Sequence, residues 1–571
     1  MRSRVKQVTV CVSAASGFAA ISTAERRRRS RDYILSSRRA ARAAVCVGHV
    51  AARYKYMRWK YKGESADVHN VQRSRVHRKC AELVLEMCSC NGGMFVKMGQ
   101  HAATLGPAVP AEYVEALVKL QDRAPAGSWQ DVMHVLKSEL SLEASMDSMV
   151  VGPTGVFSEF DQEPVGSASL AQVHRARLSN GLEVAVKVQH RGIEAVVSSD
   201  LFIVKCLDGI LSFLFKDEGF SMAWAIEEFE RNVSHELNFL EEAQHATNCR
   251  AFFQRLPIGA NVRVPQVHSQ LTSSKLLVMD FSHGLPIGKF TDAVRKASVD
   301  PCVSDDEAHM TNVAKEAAHV LASAFGAMCF SSGFVHCDPH PGNLLVELGP
   351  TDAEVRLVIL DHGLYCNLSQ DRRIAMCRLW QAMILQDHAA LISSADLLDI
   401  DPSTAELLPI YFTNRSMRTT AGLGQPVTLE QKNKMKQQLV ESGLLPKESS
   451  GTSFAMSGFS MLAEHLPTDM LMVMRTMHLV ASLHRDLGGT PSERFLLYAD
   501  AAVAGQHVRR ASKQQNFDFN LSYLTWLFRA IFHARLWLKE TYLKLFYSTE
   551  DAVEHFSIAR SLAEIAKEAK A

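Results

Sequence analysis

The sequence lacks the cysteine pairs that would mark a zinc knuckle or a disulfide-stapled secreted domain. Its twelve cysteines are scattered, Cys88 and Cys90 form a lone CxC, and no pair of CxxC steps occurs. Reduced, mostly buried thiols in a reducing compartment are therefore expected. Net charge is also lacking. Lys and Arg number 62 against 61 Asp and Glu, a formal +1, so nothing global argues for nucleic acid or an acidic partner. No repeat of fixed period is present, which excludes solenoids and propellers. Neither the apolar stretch near the N-terminus nor the aromatic tail reaches the roughly 20 apolar residues that a membrane-crossing helix needs. What is present is length and apolar content: 571 residues, 47% hydrophobic, enough for two or three domains around a large core.

Charge is uneven along the chain. The first sixty or so residues are rich in Arg and Lys, with Glu25 and Asp32 as the acidic exceptions. Arg2, Arg4 and Lys6 precede an apolar, small-residue stretch, Val8 to Ile21, and Arg26 to Arg29 follow it. An Arg-rich, Ser-rich, acid-poor start is the composition of a mitochondrial transit segment. A membrane-proximal helix that stays attached is the alternative. The expected division is a basic segment over 1–62, a helical extension over 63–150, a nucleotide-binding core over 151–400 and a helical region over 401–571.

The periodicity predicts helices over Val68–Gln100, Glu112–Leu120 and Ser128–Leu142, the last N-capped by Ser128. After Gly152-Pro153 the period changes. Ser169–Leu178 and Glu183–Gln189 read as strands joined by the turn Ser179-Asn180-Gly181. Long helices are predicted over Ile193–Leu214 and Ala223–Cys249, a strand over Lys275–Phe281, a helix over Glu307–Ser332, and short strands near Asn343–Glu347 and Val355–Leu360. Beyond Ser369 the pattern is helical, with a polar break near Thr413–Pro426. The lone Gly422-x-Gly424 in that break reads as a loop.

Four short elements then occur in one order. Gly166-Ser-Ala168-Ser-Leu-Ala171-Gln-Val173 has the spacing of the nucleotide-covering loop GxGxxGxV, with Ala168 and Ala171 replacing glycines. Each added methyl should narrow the approach of backbone amides to phosphates. Val184-Ala-Val-Lys187 places one lysine in an apolar strand, and a buried ammonium needs an anion beside it. That suits a lysine aimed at ATP phosphates and held by a glutamate. His336-Cys-Asp338-Pro-His-Pro-Gly-Asn343 has the HxDx4N spacing in which the aspartate orients a hydroxyl proton and the asparagine ligates magnesium. Leu360-Asp361-His362-Gly363 follows a strand and offers a carboxylate for the second metal position. Each motif alone is weak, but all four in order identify a phosphotransfer site.

These residues, with Lys97-Met-Gly99-Gln100, Leu120-Gln-Asp-Arg-Ala-Pro125, Glu236-Leu-Asn-Phe-Leu-Glu-Glu242 and Gly333-Phe-Val-His336, resemble the ABC1/UbiB (aarF-domain) family of atypical kinases. The resemblance runs from about residue 70 to 400. It implies an α+β, protein-kinase-like bilobal fold, with a small β-sheet lobe, a helical large lobe, a helical N-terminal extension and a helical C-terminal tail. It implies that Lys97 and Gln100 of a KxGQ motif lie across the nucleotide cleft, and that Glu236 pairs with Lys187. Asp338 would be the catalytic-loop acid, and Asn343 and Asp361 the magnesium ligands. The implied ligands are ATP and Mg2+, with a lipid or quinone-like ligand and peripheral membrane contact as further partners. The implied setting is mitochondrial lipid or coenzyme Q homeostasis. One departure stands out: the family's acidic motif reads ExD, and this chain has Asn238 at its third position.

Two absences weaken a conventional protein kinase. Cys337 occupies the place of the arginine that clamps a phosphorylated activation loop, and no APE-like segment follows Asp361. A catalytically weak pseudokinase, acting as a nucleotide-responsive lipid or protein binding module, is the alternative. A metallohydrolase built on His336, Asp338, His340, Asp361 and His362 has suitable ligand types but leaves the VAVK strand unexplained. The tail Leu521–Tyr547 interleaves aromatics with Arg529, Arg535, Lys539 and Lys544. It reads either as a helix packed on the large lobe or as one lying in a bilayer interface.

Overall fold

The computed structural model describes residues 23–104, 109–121, 127–141, 147–152, 155–216, 223–299, 305–349, 354–413, 466–507, 529–534 and 536. The apolar start over 8–21, residues 122–125, the break holding Gly422 and Gly424, and nearly all of the aromatic tail lie outside them. Of the described residues, those within Met1–His101, Glu115–Ala124 and Gly192–Glu230 form one compact unit. Those within Ala102–Val114, Pro125–Arg191 and Arg231–Ala571 form a second.

The first unit is helical. Helix Thr23–Lys60 packs against Ala66–Asn91 and Ile193–Leu214. Arg39 joins all three segments chemically: it forms an ion pair with the buried Asp200 and donates to Gly92 O at 3.3 Å. Burial pushes the Asp200 carboxyl up to about 6, against the pull of Arg39. The helix expected over Val68–Gln100 is broken at Gly92 and Gly93, both at positive φ, and resumes as Gly93–Thr104. Gly99 is there for contact, because a methyl would overlap the Leu120 side chain. Gln100 Nε2 donates to Leu120 O at 2.8 Å. Two residues of the KxGQ motif thus hold the 3-10 turn Val118–Gln121.

Among the described residues the second unit carries all the strands. Along the chain they are β1 Phe157–Phe160, β2 Gly166–Ser167, β3 Ala171–Leu178, β4 Glu183–Gln189, β5 Val262–Arg263, β6 Leu276–Asp280, β7 Leu285–Pro286, β8 Phe334–His336, β9 Leu344–Leu348, β10 Val355–Ile359 and β11 Tyr365–Asn367. The first sheet runs β1-β3-β4-β6 with β2 on β3, the second β5-β10-β9-β7, and β11 pairs with β8. The β3–β4 hairpin forms where expected. Gly181 supplies φ +85° at its turn, and Asn180 Oδ1 accepts from Leu182 N at 3.0 Å.

Alternation along β3 and β4 sorts the two faces of the first sheet. Ala176, Leu178, Val184, Val186 and Val188 bury one face against Val132, Val135 and Leu136 of helix Trp129–Glu139. Those three residues recur at the spacing of one helical face. Ser128 caps that helix, its hydroxyl accepting from Asp131 N at 3.3 Å. Val173, Ala185 and Lys187 lie on the opposite face, with Val173 directly across from Lys187. The larger core is helical. Asp305–Gly326, Gln370–Leu385, Thr468–Asp486 and Pro491–His507 enclose Trp380, Phe325, Phe330 and Tyr498. The first of these helices widens into a π-turn at Ala327–Ser332, and Gly333 at φ +73° ends it before β8.

The buried face of β3 is not wholly apolar. Gln172 and His174 are both buried, and Gln172 Oε1 accepts from Gly127 N at 2.6 Å. Gln172 Nε2 donates to His174 Nε2 at 2.9 Å, and His174 Nδ1 donates to Asp161 O at 2.8 Å. Protonating His174 would set two donors face to face. Burial accordingly lowers its pKa below the ordinary 6.5, despite the Asp161 carbonyl. The folded state therefore binds fewer protons than the unfolded one, and stability falls as pH drops below about 6.5. We expect His174→Met to remove up to one proton's share of that slope, about 1.4 kcal/mol per pH unit. It should cost about 1–3 kcal/mol at pH 7.5, because Gln172 loses its acceptor. Urea unfolding between pH 4.5 and 7.5 measures both, and an unchanged slope would remove His174 from the account.

Candidate active site

Lys187 is the centre of the site. Its Nζ lies 2.7 and 2.9 Å from the two carboxylate oxygens of Glu242 and 3.1 Å from Asp361 Oδ2. The ring of Phe239 supplies a fourth contact, 5.1 Å from Nζ to its centroid. Burial opposes the ammonium, but Asp361 and Glu242 outweigh it and hold the lysine well above its ordinary range. Glu242 is 2% exposed and Asp361 39%. Burial, with Asp361 close by, pushes the Glu242 carboxyl up to about 7 against the pull of Lys187. Asp361, the more exposed carboxylate, is thus the one open to a ligand.

Glu242, not Glu236, is the lysine's partner, which corrects the expected pairing. The helix predicted over Ala223–Cys249 is two helices, Ala223–Glu236 and Phe239–Phe253. Asn238 breaks it: its backbone is extended, and its Oδ1 accepts from Leu240 N at 3.3 Å as an N-cap. Its Nδ2 donates to Glu241 Oε1 at 3.0 Å. Asn-x-x-Glu is a helix-start pattern and was the sequence signal for this boundary. Four residues past the cap, Glu242 stands on the buried face. Gln189 at the end of β4 donates to Leu237 O at 2.6 Å, fixing the break beside the strand of Lys187. Asn238 thus has a structural task where the family has an aspartate. Glu236 ends the first helix, and its Cγ lies 3.4 Å from where a methyl on Gly363 would be.

Two loops supply the remaining groups. Asn343 Nδ2 donates to Asp338 Oδ2 at 3.2 Å and to Asp338 O at 3.3 Å. Both bonds use Nδ2, so the Asn343 Oδ1 atom is not engaged by them. Asp361 Oδ1 accepts from Gly363 N at 2.9 Å. His336 locks the loops to each other: its Nδ1 accepts from Asp338 N at 3.2 Å, and its Nε2 donates to Asp361 O at 2.6 Å. Leu360 N donates to Asn343 O at 3.0 Å, and β8 pairs Tyr365 with His336 through β11.

His362 fastens the same loop to the Glu242 helix. Its carbonyl accepts from His245 Nδ1 at 3.0 Å. Its ring accepts from Tyr365 OH at 2.8 Å and donates to Ile359 O at 3.2 Å. Burial, with His336 nearby, lowers its pKa to about 3. Both nitrogens of His336 and of His362 are thus committed to protein partners. Among the described residues no group of three His, Cys, Asp or Glu is placed to hold a metal ion, which removes the metallohydrolase arrangement.

Asn343 and Asp361 offer two protein oxygens on neighbouring loops. Two are enough for magnesium, which keeps several waters and takes phosphate oxygens for the rest. The residues present fit that ion. The loop from Gly166 to Val173 forms a tight hairpin, with Ala168 N bonded to Ala171 O at 2.8 Å and Val173 across from Gly166. Lys97 and Gln100 belong to the first unit.

A small antiparallel sheet bearing a Lys–Glu pair, followed by a helical region bearing the HxDx4N and DxG loops, defines a kinase-like α+β fold. The ABC1 atypical kinase-like domain matches residues 119–395. The chain is 33% identical over 424 residues to AarF domain-containing protein kinase 1 of Mus musculus, covering 73% of this chain and 72% of the mouse protein. It is 29% identical over 496 residues to AarF domain-containing kinase 1 of Drosophila melanogaster, covering 86% and 87%. A solved Mycobacterium tuberculosis protein in complex with erythromycin aligns at 22% identity and TM-score 0.42, over 70% of this chain and 89% of that one. The chain belongs to the ABC1 family of atypical kinases.

Replacing Glu242 leaves the Lys187 ammonium with one half-exposed carboxylate. We expect Glu242→Gln to destabilise the protein by about 3–5 kcal/mol, and Glu236→Gln by about 1 kcal/mol or less. Denaturant unfolding of both variants ranks them, and the reverse order would return the pairing to Glu236.

Proposed function

We propose that the protein is a magnesium-dependent ATPase or small-molecule or lipid kinase, acting in mitochondria in support of lipid or coenzyme Q homeostasis. The observation that carries this reading is the convergence of Lys187, Asp361, Asn343 and Asp338 within two bonded loops and one strand. Phosphoryl transfer asks a protein mainly for positioning and for charge placed where the triphosphate sits. Lys187 is held charged on the sheet face it shares with Val173 and Ala185, where it would bind phosphate oxygens. Asn343 and Asp361 would hold magnesium, which when bound neutralises phosphate charge. Asp338, oriented by Asn343 and by the His336 contact to its amide, would take the proton of the attacking hydroxyl or water. Family membership and the names of the relatives support kinase-type phosphotransfer. The Arg-rich start supports the mitochondrial setting. Among the described residues no helix is long and apolar enough to cross a membrane.

Asp361→Asn keeps the shape of the side chain and removes its charge. We expect about a tenfold or greater loss of magnesium-dependent ATP binding, with far-ultraviolet circular dichroism unchanged. ATP affinity equal to wild type would refute the metal role. The reaction itself is tested by ATP turnover of purified protein with and without vesicles containing quinone-like lipid. Turnover stimulated by the lipid supports the enzyme. Nucleotide binding with no turnover under either condition would leave a binding module.

A further inference from the structure

The geometry points to His190 as a positioning residue that staples the alanine loop and thereby sets nucleotide affinity, an inference that rests on the ATP-binding reading above. His190 is the first residue after β4, three beyond Lys187, and no motif of the site includes it. It makes two bonds to the loop tip. Its backbone N–H donates to Leu170 O at 2.9 Å, and its ring Nε2 donates to Ala168 O at 3.0 Å. A third tip carbonyl, that of Ala171, is taken by Ala168 N at 2.8 Å. The carbonyls of Ala168, Leu170 and Ala171 are therefore all turned to protein donors.

This has an electrostatic consequence. With three of its four carbonyls tied down, the tip cannot turn those three toward an anion, and only the Ser169 carbonyl has no donor among the described residues. Among the groups left at the tip are the amide N–H groups of Ser169 and Leu170, which have no acceptor among the described residues. Successive N–H groups without protein acceptors are the kind of donors that an anion takes. The Ser167 hydroxyl beside the tip is also buried with no partner among the described residues, so the loop carries a further polar group that the protein itself does not satisfy. In a glycine-rich loop, backbone freedom allows the amides to adapt to phosphates. Alanines at 168 and 171 reduce that freedom, and here the staple supplies the fixed geometry in its place. Gly127 leaves room for the imidazole, since a methyl there would sit 3.2 Å from His190 Nδ1.

The test uses full-length protein, magnesium and a fluorescent ATP analogue, with hydrogen exchange of residues 166–171 and steady-state ATP turnover as further readouts. His190→Ala should weaken nucleotide binding about three- to tenfold, the worth of one hydrogen bond. It should raise KM more than it lowers kcat, and speed amide exchange at the tip. His190→Gln, whose amide can reach Ala168 O, should restore affinity to within about twofold, whereas the shorter His190→Asn should behave like His190→Ala. Wild-type protein that binds no nucleotide would overturn the ATP-binding reading itself. Wild-type binding matched by both His190→Ala and His190→Asn, with unchanged exchange at the tip, would overturn the staple alone.

Discussion

One buried cation organises the second unit. Lys187 projects from the middle of β4 between Glu242 and Asp361, so one ammonium joins a strand, a helix and the loop after β10. Burying a charge on an otherwise apolar strand is costly unless it is paired, and two carboxylates pair it. The cost is informative, because a strand lysine with no task would sit at an edge in solvent. Asp361 is the more exposed of the two acids, so the cluster is closed on the Glu242 side and open on the Asp361 side. A polyanion entering with its own cation could take Asp361 from the lysine while leaving Glu242 in place.

The histidines around this cluster act as fasteners. His336 bridges the amide of Asp338 and the carbonyl of Asp361, His245 reaches the carbonyl of His362, and His362 is itself tied to Tyr365 and Ile359. Each bond reaches backbone or a fixed hydroxyl, so the loops carrying Asp338, Asn343 and Asp361 are held in place by imidazoles. Such preorganisation is what electrostatic catalysis requires of its surroundings. It also explains why imidazoles close to a proposed magnesium site are not ligands.

Much of this was legible in the sequence. The β3–β4 hairpin, helix Ile193–Leu214, the Ser128 cap and the two strands that follow Asn343 come from alternation, turn residues and caps, which are local signals, whereas β8 before it was not expected. The kinase-like fold followed from the resemblance to the ABC1/UbiB family that those motifs carry. The partner of Lys187 did not, because two glutamates lie on one helical-looking run, and periodicity alone carries it straight through Leu237 and Asn238. A cap residue in mid-run shifts the helical phase, and the phase decides which glutamate faces the lysine. The Asn-x-x-Glu pattern was available, but its weight depends on the tertiary contacts of Gln189 and Phe239 with the chain at the break. The roles of Gly99 and Gln100 in seating Leu120 were equally beyond reach, since that contact joins segments about twenty residues apart.

Asn238 shows why a departure from a family pattern has to be read through its geometry. As a missing carboxylate it suggests lost chemistry. As an N-cap it loses little, because Asn and Asp cap helices about equally well. Its amide also does something a carboxylate cannot: it donates to Glu241, whose carboxylate also meets His235. An aspartate there would face Glu241 with like charge across the first turn. An asparagine therefore preserves the helix start that delivers Glu242 to Lys187, and removes a charge beside Glu241. The contacts of Lys187 with Glu242 and Asp361 do not involve Asn238, so the difference leaves the lysine cluster as it is.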